Sequence, residues 1–214
     1  MKILSVNIGQ PQQIRWKKKT IVTSIFKNPI SNKVRIIASG VEGDVQSDLM
    51  VHGGKYKAVY VYPYEHYDFW SSQFPNLKFN WGMFGENLTT SGLLEDQIHL
   101  GDIIGIGTVE LKVTQPRFPC LKLGLKFDDS LMIKKFLESR KSGFYCSVFK
   151  EGQVFVGDRI SILNSEQSGT TIREFVDVYT QKNPKQEKIE AILEDPNLME
   201  DWIDFFKNKL VKVS

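Results

Sequence analysis

The chain has 214 residues, of which 41% are hydrophobic and 25% are charged, so it can bury a substantial core and should form one large domain or one domain with an appendage. Its formal net charge of +3 is too small to indicate a nucleic-acid-binding protein, and no apolar run approaches the roughly 18 residues of a membrane-spanning helix. The start, MKILSVNIGQ, lacks the features of a signal peptide, and two cysteines do not make a disulfide framework. We therefore expect a cytoplasmic protein with free thiols that binds neither nucleic acid nor a membrane.

The first 164 residues predict a mainly β fold. Gly, Asp, Asn and Pro residues bound a series of short apolar runs: VRIIA, KAVYVY, DIIGIG, VELKVT, QVFV and RISIL. This pattern is typical of strands joined by tight turns in a barrel or sandwich. Between the strands, helical patterns occur in PYEHYDFWSSQF and SLMIKKFLESR. We expect these helices to plug or cover a β-barrel that spans residues 1–164.

From residue 165 onward the hydrophobic period changes from two to about 3.6. Residues 165–214 predict a second, smaller domain, a bundle of three short amphipathic helices. Thr171 and Glu174 form a capping box at the start of the first helix, and Asn197 caps the third. This part carries ten acidic residues against seven basic ones. The more basic remainder of the chain is the better candidate for binding an anionic small ligand.

The stretch GVEGDVQSDLMVHGGKYKAVYVY concentrates glycines with carboxylates and a histidine. Glycines permit positive φ angles, and consecutive amides in such turns can bind anions. His52, Gly53 and Gly54 could therefore hold an anionic group together with a nearby lysine. Alternatively, Asp44, Asp48 and His52 could bind a metal ion, although the glycines argue against a helix that would align them. A tight turn without a binding role is the third interpretation.

A second glycine-flanked loop, GMFGENLTTSGL, places Glu86 beside Asn87. An asparagine amide has donors and acceptors that suit the edge of a heterocycle, and a glutamate can accept N–H groups or act as an acid. Alone, this stretch would indicate a connecting loop. Two such polar loops in one chain favour a binding site.

The stretch VTQPRFPCLKL places Cys120 after two prolines and an arginine. Pro116 and Pro119 stiffen the backbone, and Arg117 could lower the pKa of the thiol or bind a phosphate. These residues leave open a nucleophile, a redox thiol, a ligand for a soft metal and a buried structural cysteine. The structural interpretation fits Cys146 better, because YCSV has the pattern of a strand interior.

Five stretches of the chain together resemble one family: GVEGDVQSDLMVHGG, YPYEHYDFW, FGENLTTSGLLE, HLGD and VTQPRFPCLKL. In this order and spacing they are similar to the MOSC family, named for the C-terminal domain of molybdenum cofactor sulfurase. Within it they resemble the YiiM-like subgroup, bacterial proteins linked to resistance to N-hydroxylated base analogues. The resemblance covers nearly the whole chain, since that subgroup also has a C-terminal three-helix extension. It implies a MOSC-type β-barrel with short peripheral helices, followed by a small three-helix bundle.

The resemblance implies that the protein binds the molybdenum cofactor, a pterin whose dithiolene holds molybdenum and whose phosphate is anionic. In the family pattern the cysteine of the QPRxPC motif, here Cys120, is the protein ligand to molybdenum. Cys120 and Glu86 are the expected catalytic residues, the latter as a proton donor near the metal or a pterin contact. The expected contacts to the pterin and phosphate are Lys27, Asp44, His52, Gly53, Gly54, Asn87 and Arg117.

The reaction implied by the resemblance is reduction of a small N-hydroxylated substrate to the amine or imine. The chain has no flavin, iron–sulfur or haem motif, so we expect a separate electron-donating reductase. The acidic C-terminal helices could dock that reductase or form a homodimer. Two alternatives remain: a non-catalytic carrier of the cofactor or of sulfur bound to Cys120 as a persulfide, and a metal hydrolase using Asp44, His52 and Glu86.

Overall fold

The structure, a computed structural model, describes residues 1–16, 19–47 and 53–213. Within these residues the strands are β1 (Lys2–Ile8), β2 (Gln12–Trp16), β3 (Lys19–Thr23), β4 (Asn28–Ile30), β5 (Val34–Ile37), β6 (Gly40–Val41), β7 (Val59–Pro63), β8 (Leu88–Ser91), β9 (Ile103–Ile106), β10 (Val109–Pro116), β11 (Phe144–Lys150), β12 (Gly152–Val154) and β13 (Ile160–Asn164). The helices are α1 (Glu65–Gln73), α2 (Leu121–Phe127), α3 (Met132–Ser139), α4 (Ile172–Thr180), α5 (Gln186–Leu193) and α6 (Glu200–Val211). None of these described helices combines the length and apolar character needed to cross a bilayer.

Eight strands form the main sheet, in the order β13–β9–β10–β11–β7–β8–β1–β4. Neighbouring strands are antiparallel, except that β7 and β8 are parallel. The parallel pair follows from the crossover through α1, which returns the chain to the same end of the sheet. A three-stranded sheet, β12–β5–β6, and the hairpin β2–β3 complete the strand structure of the described residues. The prediction of a sheet-dominated fold with peripheral helices is confirmed.

The two ends of the main sheet approach each other near the start of β1. A single bridge pairs Lys2 with Arg159, and the N–H of Ile3 donates to the carbonyl of Asp158 at 3.0 Å. Strand β13, which follows Arg159, pairs with β9, and β4 forms the opposite edge of the described sheet. A closed barrel needs a continuous ladder between its first and last strands. No such closed barrel is found in the described residues.

The main core joins the sheet to the C-terminal helices. Apolar side chains of the sheet form one continuous cluster with Phe175 of α4 and Phe206 of α6. Phe118, which lies between β10 and α2, has its ring centre 6.1 Å from that of Phe175 and 5.1 Å from that of Trp202. The indole N–H of Trp202 donates to the side-chain oxygen of Gln115 at 2.7 Å. The C-terminal helices therefore pack directly on the segment that leads to Cys120.

A second, aromatic cluster lies between α1, α2, α3 and the sheet. The rings of Trp70 and Phe136 stack with their centres 5.9 Å apart, and those of Tyr62 and Phe84 stack at 4.4 Å. Offset or stacked aromatic pairs add favourable energy to the burial of their surface. This cluster holds the helices against strands whose ends border a pocket beside Cys120.

The helix predictions hold in most places. Helices α1 and α3 lie within the two predicted helical stretches, and α4 begins with the predicted capping box, in which Thr171 and Glu174 bond reciprocally. Helix α6 begins at Glu200, later than predicted, because Asp195 accepts the N–H of Asn197 at 2.8 Å and forms a turn there. Asn197 is therefore not the cap of this helix.

Helix α2, directly after Cys120, was not predicted. Its sequence LKLGLKF alternates apolar and polar residues as a strand does. Leu123 and Phe127 are nevertheless buried on one side in the aromatic cluster. Tertiary packing of these two residues outweighs the weak local preference of the stretch.

Candidate functional site

A pocket of about 90 Å³ lies beside Cys120, with room for several water molecules. Its walls come from the loop before β4, the segment before the 48–52 region, the loop before β8, and the ends of β7, β10 and β11. Among its described lining residues there are three basic side chains and no carboxylate. Lys27 is ion-paired with Asp44 behind the wall, but the positive charge of Arg117 still favours an anionic group in this pocket. The lining includes Lys27, Tyr60, Asn87, Arg117, Cys120, Lys122 and Tyr145.

Cys120 stands in a fixed loop between β10 and α2. Its backbone is extended, with φ −121° and ψ 175°, and its carbonyl accepts the N–H of Leu123 at 2.9 Å. The N–H of Arg117 donates to the carbonyl of Gly143 at 3.3 Å. The thiol is partly exposed and forms no disulfide. A thiol that is fixed and reachable meets the requirement for a metal ligand or a nucleophile.

Cys146 has the opposite environment, as predicted. It lies in β11, is 0% exposed and belongs to the main core. Burial raises the pKa of its thiol, because the apolar surroundings disfavour the thiolate. Cys146 therefore serves packing and not chemistry.

Arg117 is only 5% exposed although it lines the pocket. Its guanidinium lies 4.9 Å from the ring centre of Phe136 and 5.5 Å from that of Tyr60, and Nη2 donates to the carbonyl of Phe84 at 3.4 Å. Burial lowers the pKa of Arg117, but the nearby Tyr60 and Tyr145 raise it, and the net shift is upward. Its Nη1 is buried without a hydrogen-bond partner in the described part of the chain. A buried charged donor without a partner requires an explanation, and a bound anion is one.

Lys27, Asp44 and Asn87 form a buried polar cluster at the pocket wall. Lys27 Nζ is ion-paired with Asp44 Oδ2, and Asn87 Nδ2 donates to the same oxygen at 2.9 Å. Asp44 Oδ1 accepts the N–H of Gly9 at 2.7 Å, and Asn87 Oδ1 accepts the N–H of Tyr60 at 3.1 Å. Burial lowers the pKa of Lys27, although Asp44 acts in the opposite direction. The fold thus brings together three residues that were predicted from separate loops. Lys27 and Asn87 line the pocket, and the carboxylate of Asp44 binds both side chains.

Glu86 is 0% exposed and does not line the pocket. Its carboxylate accepts the N–H groups of Gly82 at 2.9 Å and Phe84 at 3.0 Å, the hydroxyl of Thr89 at 2.8 Å, and the hydroxyl of Tyr67. Four donors therefore satisfy this carboxylate within the protein. The geometry assigns Glu86 to the support of its loop, and the expected role as a proton donor or pterin contact stays a prediction.

The predicted glycine loop is described only in part. Gly54 has a φ of +92° and precedes a 3₁₀ turn at Lys55–Lys57, as the tight-turn interpretation requires. Neither Gly53 nor Gly54 lines the pocket. His52 lies outside the described residues, as does Asp48, so the contacts and the metal site predicted for them stay predictions. Within the ranges that are described, no three His, Cys, Asp or Glu side chains are grouped as a metal ion would need.

Tyr60 and Tyr145 line the pocket but were not predicted as site residues. Tyr145 lies on β11 opposite Gln115, its ring centre is 5.2 Å from that of Tyr60, and its carbonyl accepts the hydroxyl of Thr114 at 3.0 Å. A signal for this residue was available in the sequence. Because side chains alternate along a strand, a core position for Cys146 places Tyr145 on the opposite face.

Known proteins resemble this chain in sequence and in fold. Residues 48–161 match the family model of the MOSC domain. The chain is 38% identical over 209 residues to the uncharacterized protein YflK of Bacillus subtilis, a match that covers 97% of this chain and 93% of that protein. It is 34% identical over 146 residues to a protein of Gibberella moniliformis named Reductase, covering 67% of this chain but 26% of that protein.

The fold is similar to the crystal structure of YiiM from Geobacillus stearothermophilus. The TM-score is 0.81 with 30% sequence identity, and the alignment covers 98% of both chains. The resemblance found in the sequence motifs is thus confirmed at the level of the family model, the aligned relatives and the three-dimensional fold. The chain belongs to the MOSC domain family.

Proposed function

We propose that the protein binds the molybdenum cofactor in this pocket, with Cys120 as the protein ligand to molybdenum. The observation that carries the proposal is that one pocket contains the fixed, partly exposed thiol of Cys120 and the buried Arg117, whose Nη1 has no hydrogen-bond partner among the described residues. A thiolate is a soft ligand that suits a metal already bound by sulfur. A pocket lined by Lys27, Arg117 and Lys122 without a described carboxylate suits the anionic phosphate of the pterin.

The residues present fit this group at its metal and anionic ends. Cys120 would hold the metal, and Arg117 and Lys27 would bind the anionic part. Asn87, whose amide is held by Asp44 and by the N–H of Tyr60, would present a fixed edge to the heterocycle. We also retain Gly53, Gly54 and His52 as proposed contacts.

We propose that the loaded protein reduces small N-hydroxylated compounds to the corresponding N–H products. The bound cofactor would supply a centre that exchanges two electrons. The overall change is N–OH plus two electrons and two protons to N–H plus water. The rings of buried Tyr60 and partly buried Tyr145 form one largely apolar wall of the pocket, which limits the access of water to bound groups. Similarity to a relative named Reductase supports the redox class.

The proposed electron donor is a separate reductase, because the sequence has no flavin, iron–sulfur or haem motif. The acidic surface of α4, α5 and α6 is the proposed place for that partner or for a second copy of the chain. We further propose that residues 1–164 form a barrel-like MOSC domain and residues 165–214 a three-helix appendage. The bridge between Lys2 and Arg159, which brings the ends of the sheet together, supports the barrel-like description.

The proposal is tested with protein purified from two hosts, one that makes the pterin cofactor and one that cannot. We expect stoichiometric molybdenum and pterin only in protein from the first host. That protein should reduce an N-hydroxylated base with an artificial electron donor, and protein from the second host should not. Stoichiometric molybdenum without turnover would support the carrier alternative, and bound zinc with hydrolysis would support the hydrolase.

A pair of variants then tests the role of Cys120. Cys120→Ser should lose both molybdenum and reductase activity. Cys146→Ala, the matched control, removes the other thiol from the core and should keep both once its fold is verified by circular dichroism. Molybdenum and activity that persist in Cys120→Ser would exclude Cys120 as the ligand.

A further inference from the structure

Tyr145 is partly buried, and it differs from three buried tyrosines nearby because its hydroxyl group donates to no oxygen atom of the described residues. Tyr60, Tyr62 and Tyr67 donate their hydroxyl protons to oxygen atoms of the protein. Arg117 lies close enough to Tyr145 to lower the pKa of its hydroxyl group. A guanidinium group has donors only, so Arg117 cannot accept the proton of the Tyr145 hydroxyl group.

The surroundings keep that proton on the hydroxyl group. Burial raises the pKa of Tyr145, Arg117 lowers it, Cys120 raises it again, and the net shift is upward. The hydroxyl is therefore a neutral donor over the whole physiological range. Its backbone position is fixed by the pairing of β11 with β10 and by the hydroxyl of Thr114.

A second donor lies beside this hydroxyl. Arg117 and Tyr145 both line the pocket that also contains Cys120. The Nη1 group of Arg117 is buried and has no hydrogen-bond partner among the described residues, although the residue is only 5% exposed. Both side chains pack against the ring of Tyr60, whose centre is 5.5 Å from the guanidinium carbon and 5.2 Å from the ring centre of Tyr145, so they are neighbours in the pocket wall. Two neighbouring donors in a pocket without a described carboxylate can share one anionic oxygen.

We propose that Tyr145 is a positioning residue of this site: its hydroxyl and Nη1 of Arg117 form a two-donor subsite for an anionic oxygen of the group that binds beside Cys120. The inference rests on the proposed function for the identity of that group. It adds a residue that lies outside the five stretches that resemble the family. The anionic oxygen could belong to the cofactor or to the substrate, and the experiment separates the two.

The first test uses cofactor-free protein, from the host that cannot make the pterin, with inorganic sulfate as the probe. Isothermal titration should show sulfate binding to the wild type and about tenfold weaker binding to Tyr145→Phe, the usual loss for one hydrogen bond to a charged group. Equal affinities for the two proteins, or no sulfate binding to the wild type, would overturn the inference.

Tyr62→Phe is the matched control. It also removes a buried tyrosine hydroxyl, one that accepts from Trp70 at 2.8 Å and donates to the carbonyl of Lys141 at 3.2 Å, and Tyr62 does not line the pocket. It should lower the melting temperature but leave the sulfate affinity unchanged. A loss of sulfate binding in Tyr62→Phe equal to that in Tyr145→Phe would attribute the effect to stability and overturn the inference.

The second test uses loaded protein from the cofactor-competent host. If the anionic oxygen belongs to the cofactor, Tyr145→Phe should contain less molybdenum and pterin. If it belongs to the substrate, the contents should be normal and KM should rise about tenfold with little change in kcat. Normal contents and normal kinetic constants would overturn the inference while leaving the proposed function intact. Sulfate binding with the expected variant pattern, but no molybdenum in any preparation, would refute the proposed function alone.

Discussion

The carboxylate of Glu86 offers a sharp test of whether this residue supports the fold or performs chemistry. The perturbation is Glu86→Gln. In the wild type Oε1 accepts from Tyr67, Gly82 and Thr89, and Oε2 accepts the N–H of Phe84 at 3.0 Å. A glutamine can keep Oε1 in place, but its NH₂ group then faces the N–H of Phe84.

The expected loss follows from these contacts. One buried donor left without an acceptor costs about 1–3 kcal/mol, and the remaining bonds change from charge-assisted to neutral ones. We therefore expect the free energy of unfolding to fall by about 3 kcal/mol. With a urea m-value of about 2 kcal/mol/M, the unfolding midpoint should fall by about 1.5 M.

The assay is urea unfolding followed by tryptophan fluorescence, paired with steady-state kinetics of the loaded protein. Glu138→Gln is the control, because the Glu138 side chain is 62% exposed and its pairing with Lys134 at 3.7 Å is a surface contact. The control should shift the midpoint by less than about 0.3 M. An unchanged midpoint for Glu86→Gln together with a large fall in kcat would refute the structural assignment and restore the catalytic one.

Three further predictions concern a lysine, the two thiols and a glycine. Burial lowers the pKa of Lys126 from 10.5 to about 8. As the pH falls from 10.5 to 8, Lys126 is protonated in the unfolded chain before it is protonated in the folded protein, which favours unfolding. Over this range the free energy of unfolding of the wild type should fall by up to about 3 kcal/mol relative to that of Lys126→Met. Urea titrations of both proteins across this range measure the difference, and a flat difference would contradict the argument. Iodoacetamide should modify Cys120 in the native protein and Cys146 only in urea, as counted by mass spectrometry; equal native rates would place Cys146 at the surface. Gly143→Ala should lower the urea midpoint more than Gly157→Ala. Both glycines have a positive φ, but of the two only Gly143 would place an added Cβ atom 2.5 Å from a backbone oxygen. Equal losses in the two variants would show that this close contact is relieved without cost.

Features with short-range causes were predictable from the sequence. The capping box of Thr171 and Glu174 spans three residues, and the alternation around Cys146 spans a few more, so both could be found without knowledge of the fold. Cys120 and Arg117 stand within one proline-stiffened stretch, which is why the sequence indicated them together.

Features that depend on distant partners were not predictable in the same way. Tyr145 meets Arg117 only because β11 pairs with β10, and the carboxylate of Glu86 finds one of its four donors on α1, at Tyr67. Helix α2 forms where its local sequence alternates like a strand, because burial decides the conformation there. The extent of sheet closure depends on segments from opposite ends of the first 164 residues, near Lys2 and Arg159, which no local pattern relates.

The packing of the Phe118 ring restricts which C-terminal helices can replace the native ones in a chimeric protein. Two residues before Cys120, it is enclosed by Phe175, Tyr179 and Trp202, all from the C-terminal helices. In a chimera that joins the first 164 residues to the helices of a relative, this ring keeps its packing only if the new helices offer the same aromatic surface. Exchange at that junction therefore changes the packing of the loop that carries Cys120, although the described residues that line the pocket include none from the C-terminal helices.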